Sequence, residues 1–389
     1  MERLMRLHKK LVKETKTDFF RYLYQEINWD NRMIGIRGPR GVGKTTLLLQ
    51  HIKKDLSLSD TLYVNADDLY FSEHRLIDLA ERLVQQGIHY FFIDEIHKYK
   101  DWSKELKLIY DYFSELYVIF SGSSVLDLNK GSSDLSRRAL MYHLYGLSFR
   151  EYLALFHGLS YPTFTLDELI EGAVESIDVA TPLRYFDDYL KRGYYPFAKE
   201  LGFEEKLRQI INLTLENDIP VFAGLSASMG QKLKRLLTII AKSVPFKPNM
   251  SKLAELIGTG RNQMPDYLFL IEQAGMIAQL RDDTGGIRGL GKVDKVYLDN
   301  PSLAYLLGEG EAKVGNIRET FFLSQLRVKN PIISSSLSDF EIGSRTFEIG
   351  GKSKGKKQIE NAAEGYVVKD QIEFGSGNTL PLWWFGFNY

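Results

Sequence analysis

Between residues 33 and 150 the chain alternates short apolar runs with longer amphipathic stretches. Met33–Arg37, Thr61–Asn65, Tyr90–Ile93 and Tyr117–Ser121 have the length and residue types of buried strands. The first three are separated by segments long enough for a helix, the pattern of βαβ units that feed a parallel sheet. Ahead of them, residues 1 to 29 read as helical and mixed in charge, with Leu4, Leu7 and Leu11 at helical spacing. From Ser148 to about Ile240 the strand signal fades, and Pro182–Lys191 and Glu204–Glu216 read as helices. The small-residue stretch Phe222–Gly230 marks a boundary. Residues 231 to about 300 read as three helices and a hairpin, and residues 311 to 389 as mixed α/β, rich in glycine and aromatics.

Composition narrows the function classes. The chain has 389 residues, 44% of them hydrophobic, enough for packed cores in several domains. Basic and acidic residues balance at 50 each, so any surface for nucleic acid must be a local patch. There is no cysteine, which excludes disulfides, thiolate metal sites and cysteine nucleophiles. The charged start, Met1 to Lys10, does not read as a signal peptide, and no run of about 18 apolar residues is present to span a bilayer. A cytoplasmic protein without a membrane partner is expected.

The strongest local signal is Gly38-Pro39-Arg40-Gly41-Val42-Gly43-Lys44-Thr45, which fits G-x-x-x-x-G-K-[ST] and is followed by Thr46. Glycines let backbone N–H groups curl round phosphates, and the helix that follows offers its positive end to the anion. Lys44 is expected on the β- and γ-phosphates of ATP and Thr45 on Mg²⁺. Fifty residues on, Tyr90–Ile93 ends in Asp94-Glu95. A buried parallel strand delivers such residues to the ligand edge of its sheet. Asp94 is expected to order the Mg²⁺ shell and Glu95 to act as general base on water. A nucleotide switch without hydrolysis needs Asp94 but not Glu95, so Glu95 carries the expectation of turnover. Ser123, after the fourth strand, is a candidate γ-phosphate sensor, and Arg138 a candidate for transition-state charge, in cis or from a neighbouring copy.

Together these residues resemble the AAA-type ATPases of archaea and bacteria that carry a C-terminal domain of unknown function. Further markers are Phe92–His97 with Trp102 behind it, Phe120–Ser124, Tyr145–Tyr152 and Arg192–Pro196. The resemblance implies an α/β protein: a P-loop parallel-sheet ATPase domain, a helical subdomain, a winged helix and a small α/β restriction-endonuclease-like domain. The expected boundaries are 1–150, 151–230, 231–305 and 306–389.

In the third of these, Ser251 reads as the N-cap of a short helix, Gly258-Thr259-Gly260 as a turn, and Pro265–Ala274 as a second helix closed by Gly275. A hairpin around Asp282–Gly286 follows, completing the order of a helix-turn-helix with a wing. Arg261, Asn262, Gln263 and Asp266 would face a DNA groove, and Arg281, Arg288, Lys292 and Lys295 the phosphates. In the fourth, the resemblance implies an acidic nuclease-type cluster of Glu319, Asp339 and Glu348. The lysine expected two residues after Glu348 is replaced by Gly350, so Lys352 is the candidate substitute and a degenerate domain that does not cleave is expected. The basic run 351–357 is a second candidate DNA contact. The leading expectation is an ATP-driven switch or motor on DNA or on an unknown protein partner, in a possible homo-oligomer. An ATP-regulated nuclease and a non-hydrolysing scaffold are the alternatives.

Overall fold

A computed structural model describes residues 1–123, 135–243, 245–283, 292–308, 314–355 and 357–389. Asp134, Ser124, Arg288 and the hairpin tip at 284–286 lie outside the described residues. The chain divides into two compact units, Met1–Tyr145 and Gly146–Tyr389.

The first unit is built on a five-stranded, all-parallel sheet of β1 (Met33–Gly38), β2 (Thr61–Asn65), β3 (Tyr90–Asp94), β4 (Tyr117–Ser123) and β5 (Leu140–His143). The strand order is β2-β3-β4-β1-β5. Both faces are covered, which is why Met33, Ile34, Phe91, Phe92, Ile93 and Val118 are fully buried in succession rather than alternately. β4 lies between β1 and β3 and sets the strand ends side by side: Gly38 is level with Ser123, and Ile93 with Phe120. The edge strand β2 is closed by the N-terminal helix α1 (Glu2–Glu14), whose buried His8 accepts the Tyr63 N–H at Nδ1, 3.1 Å away. β5 is a strand not expected from the sequence; residues 139–142 are apolar, but at this edge of the sheet the strand is half-buried or exposed.

The second unit opens with a helix, Phe149–His157, under a capping box of Ser148 and Glu151. Ser148 Oγ also donates to the Tyr389 carbonyl at 2.7 Å, so the first and last turns of the unit meet. The helices expected at Pro182–Lys191 and Glu204–Glu216 end earlier, at Asp188 and Leu213, and continue as π-turns over Tyr189–Gly193 and Thr214–Asp218. The stretch read as a linker at 222–230 includes the break at Gly224–Ser226, between helices Ile219–Ala223 and Ala227–Ser243. Helices Met250–Ile257 and Met264–Gln273 precede an antiparallel pair, β6 (Ile277–Arg281) and β7 (Val293–Leu298). The cap of the first of these helices is Asn249, not Ser251: its side chain accepts the Lys252 N–H at 3.0 Å.

The helix Val314–Leu326 then leads into a mixed sheet of β8 (Ile333–Ser334), β9 (Phe340–Ile342), β10 (Arg345–Gly350), β11 (Glu364–Lys369) and β12 (Thr379–Pro381). Its order is β12-β11-β10-β9-β8. The closing run Pro381–Tyr389 is apolar enough to be most simply a core strand; instead Leu382–Phe387 is a 3-10 helix. All six of its residues are buried, so it has no exposed face whose period could separate strand from helix.

Gly193, in the Arg192–Pro196 motif, has a steric reason. A Cβ there would lie 2.4 Å from the Tyr189 ring and 2.9 Å from that of Tyr152, which pack edge to face. Gly193→Ala is therefore expected to destabilise the second unit by about 1–3 kcal/mol, the usual penalty for overpacking, read as a lower urea midpoint with an unchanged m-value.

Candidate functional site

The loop Gly38–Thr46 joins β1 to the helix Lys44–Asp55. Gly41 and Gly43 have φ of 83° and 98°, in the left-handed region that glycine enters without strain. Gly38 is required by a close approach: a Cβ there would lie 2.3 Å from the Leu144 carbonyl oxygen. The loop is braced from below by Arg21, a buried residue that sequence reasoning passed over. Its guanidinium donates to the Val42 carbonyl at 2.5 Å and the Tyr145 carbonyl at 2.8 Å. Lys44 is buried and its amine donates to the Gly38 and Pro39 carbonyls, each at 2.9 Å. Burial pulls its pKa down, while Glu95 and Asp94 work to hold the proton on.

Asp94 sits at the end of β3 and is 1% exposed. Thr45 Oγ1 donates to its Oδ2 at 2.5 Å and Tyr63 OH to the same oxygen at 2.8 Å. Ser121 Oγ donates to Oδ1, which also accepts the Glu95 N–H at 3.1 Å. The carboxylate is thus met by hydroxyls of a helix and two strands. A hard, oxygen-only pair of Thr45 and Asp94 fits Mg²⁺ chemically. Tyr63 and Ser121 were not expected at the site; their signal was only a polar atom on an otherwise apolar strand.

Glu95 follows with φ 52°, a left-handed conformation that a non-glycine residue adopts rarely. Burial raises its carboxyl pKa above the ordinary range; Lys44 opposes that shift and Asp94 adds to it. His97 is buried behind it, and Nε2 lies 3.2 Å from Glu95 Oε2, off the line of a hydrogen bond. The other ring nitrogen accepts the Ser123 N–H at 3.5 Å. Burial lowers the His97 pKa to about 3, so the imidazole is neutral at working pH. In sequence His97 is only part of the marker Phe92–His97; in the fold it stands between Glu95 and Ser123.

Arg138 is not at this site in its own chain. β5 runs parallel to β1 and begins level with Ile34, so Arg138, just before Leu140, lies at the opposite edge of the sheet from the P-loop. There its Nε and Nη2 hold Asp111 at 2.9 and 3.0 Å. An action from a neighbouring copy requires that pair to break.

The acidic residues of the second unit come together. Tyr297 OH donates to Glu319 at 2.9 Å, Lys295 Nζ lies 3.5 Å from Asp339, and Ser338 donates to the buried Glu348. Burial raises the Glu319 and Asp339 carboxyls, and each is raised further by a neighbouring carboxylate. Lys352 does not join them; it is exposed. The amine at Glu348 is that of Lys354. Its stem fills the space over Gly350, where a Cβ would lie 2.5 Å from Lys354 Cγ. Lys295 faces Asp339 and is therefore withdrawn from the set of wing phosphate contacts. Among the described residues, no group of three or more histidines, aspartates or glutamates is disposed to hold a metal ion.

Residues 30–153 match the family model of an AAA domain, and residues 183–313 that of a domain of unknown function (DUF8612). An uncharacterized protein of Methanocaldococcus jannaschii is 24% identical over 405 aligned positions, covering 92% of this chain and 85% of the relative. An uncharacterized protein of Haemophilus influenzae is 25% identical, covering 75% of this chain and 73% of its own length. A solved structure of PCH-2 from C. elegans aligns with 69% of this chain and 67% of its own, at 16% identity and a TM-score of 0.26. Among the described residues no helix is long and apolar enough to cross a membrane.

Removing the Lys44 amine is expected to abolish ATP binding: Lys44→Ala should show no heat on nucleotide titration with unchanged circular dichroism. Glu95→Gln should keep nucleotide binding and lose turnover by roughly 10²-fold or more. Glu95 must be deprotonated to act, and its pKa is raised, so turnover falls as pH drops through a value above the ordinary glutamate pKa of about 4.3. An acid limb at or below that ordinary value would exclude Glu95 as the base.

Proposed function

We propose that this chain, whose residues 30–153 are an AAA-type P-loop domain, binds ATP with Mg²⁺ and hydrolyses it. The observation that carries the reading is the convergence on Asp94. Its buried carboxylate holds the Thr45 hydroxyl, and the adjoining Glu95 is electrostatically linked to Lys44. Lys44 and the backbone N–H groups of Gly41–Thr46 hold the phosphates. Thr45 and Asp94 hold the ion, which neutralises phosphate charge when bound. Glu95 takes a proton from the attacking water, and Ser123, level with Gly38 at the end of β4, responds to the γ-phosphate. Phosphate release by purified protein with ATP and Mg²⁺ tests this. A wild-type rate in Glu95→Gln would overturn hydrolysis and leave the scaffold reading.

The second unit supplies what hydrolysis acts on. Helices Met250–Ile257 and Met264–Gln273 with β6 and β7 have the order of a winged helix, used here for contact with DNA or with a protein partner. Arg261 and Asn262 are exposed at the leading end of the second helix, and Lys292 at the wing. A second reading, metal-dependent nucleic-acid cleavage, is favoured by one observation: Lys354 reaches Glu348 by a route that Gly350 leaves open. Against it stands the neutralisation of the cluster by its own lysines.

Two outcomes are expected. DNA binding is weak at physiological salt and loses about 0.9 in log-log slope when the phosphate contact of Lys292 is removed by Lys292→Ala. Purified protein with Mg²⁺ or Mn²⁺ leaves duplex and single-stranded substrates intact. Cleavage abolished by Lys354→Ala, but kept in Lys352→Ala and Lys44→Ala, would establish the nuclease reading.

A further inference from the structure

His97 lies against both Glu95 and Ser123, the residues given to the attacking water and the γ-phosphate, and has no part of its own in hydrolysis. It stands in the 3-10 turn Ile96–Lys98, which follows Glu95 directly. Glu95 enters that turn with φ 52°, so the backbone bends sharply at the end of β3. The bend leaves the imidazole alongside the carboxylate, with Nε2 3.2 Å from Oε2. The two side chains differ in freedom: that of His97 is 5% exposed and that of Glu95 22%. The ring is therefore held, and the carboxylate is the group with room to turn.

The bond to Ser123 decides which way the ring acts. Nδ1 accepts the Ser123 N–H, a group that can only donate. The imidazole is neutral, because burial opposes a second proton and the Lys98, Arg40 and Lys44 charges add to that. Its one ring proton therefore sits on Nε2. That nitrogen is buried without a hydrogen-bond partner, and Glu95 Oε2 is the acceptor beside it, close enough but out of line. A buried donor facing a carboxylate that can turn is a bond ready to form.

We propose that His97 is a positioning residue that sets the Glu95 carboxylate for hydrolysis by donating Nε2–H to Oε2. The inference rests on the hydrolytic reading above. A hydrogen bond on Oε2 fixes the plane of the carboxylate and leaves Oε1 to take the proton from water. The Ser123 N–H fixes the tautomer from the far side of the ring. Because Ser123 belongs to β4 and Glu95 follows β3, the setting of the base is tied to the sheet and not to the side chain's own rotamer preferences.

The test uses the full chain with His97→Asn and His97→Gln, each alone and combined with Glu95→Gln. Asparagine keeps a polar atom near the place of Nδ1 and loses the reach to Glu95; glutamine carries an N–H near the place of Nε2. Each variant is measured for kcat, for ATP Kd and by circular dichroism. His97→Asn is expected to lower kcat by roughly 10- to 100-fold, the usual cost of losing a group that orients a reacting one, with ATP Kd unchanged. His97→Gln should recover most of that loss, a rescue that a merely packing histidine would not show. In the Glu95→Gln background His97→Asn should cost nothing further, because the group it sets is already gone. Wild-type kcat in His97→Asn, no rescue by His97→Gln, or a full additional loss in the Glu95→Gln background would each overturn the proposal and leave the hydrolytic reading standing. Wild-type turnover in Glu95→Gln alone would overturn that reading, and this inference with it.

Discussion

The first unit depends on one buried charge. Asp94 has almost no contact with water, and an ionised carboxylate in that position is tolerable only if its oxygens are fully bonded. The donors come from separate parts of the chain: Tyr63 from β2, Ser121 from β4, Thr45 from the helix after β1, and the Glu95 N–H. These contacts can form together only if β3 is flanked by β2 and β4 and the P-loop follows on from β1. The strand order and the geometry of the site are therefore one requirement. A slip of one residue in β4 would turn Ser121 to the other face of the sheet and leave Oδ1 with a single donor.

This explains which parts of the site could be read along the chain. Gly38–Thr46 and Asp94-Glu95 are local patterns, and their chemistry follows from neighbours in sequence. Tyr63, Ser121, Arg21 and His97 act through contacts fixed by the packing of strands and helices, so nothing in the adjacent residues marks them. Arg138 is absent from the site of its own chain for the converse reason. It follows Ser123 closely in sequence, but β4 ends at the P-loop edge of the sheet and β5 begins at the opposite one, where Arg138 lies.

The second unit shows the same limit of counting. Counted along the chain from Glu348, the first lysine past the glycines is Lys352. What the site requires is an amine at a point in space. Gly350 opens the volume beside Glu348, and Lys354 is the residue whose stem fills it. In the closing segment, Leu382–Phe387 is buried on every side, and burial without a polar face carries no period. Its apolar character was legible; its conformation was not.

The two acidic clusters differ in what neutralises them, and that difference orders their functions. Around Asp94 the partners are hydroxyls and a peptide N–H, none of which carries positive charge. No ammonium lies against the carboxylate: the nearby Lys44, whose proton Asp94 helps to hold, is directed to the phosphate loop. Around Glu319, Asp339 and Glu348, two ammonium groups already lie against carboxylates, Lys295 on Asp339 and Lys354 on Glu348. Burial and mutual repulsion also favour keeping protons on Glu319 and Asp339. A divalent ion entering there must displace amines and release protons, whereas one entering beside Asp94 displaces neither. On this ground the first cluster is the better suited of the two to the Mg²⁺ chemistry proposed for it. The second is a charge-balanced network whose main physical effect is to join β7, the helix Val314–Leu326 and β10 into one packed unit.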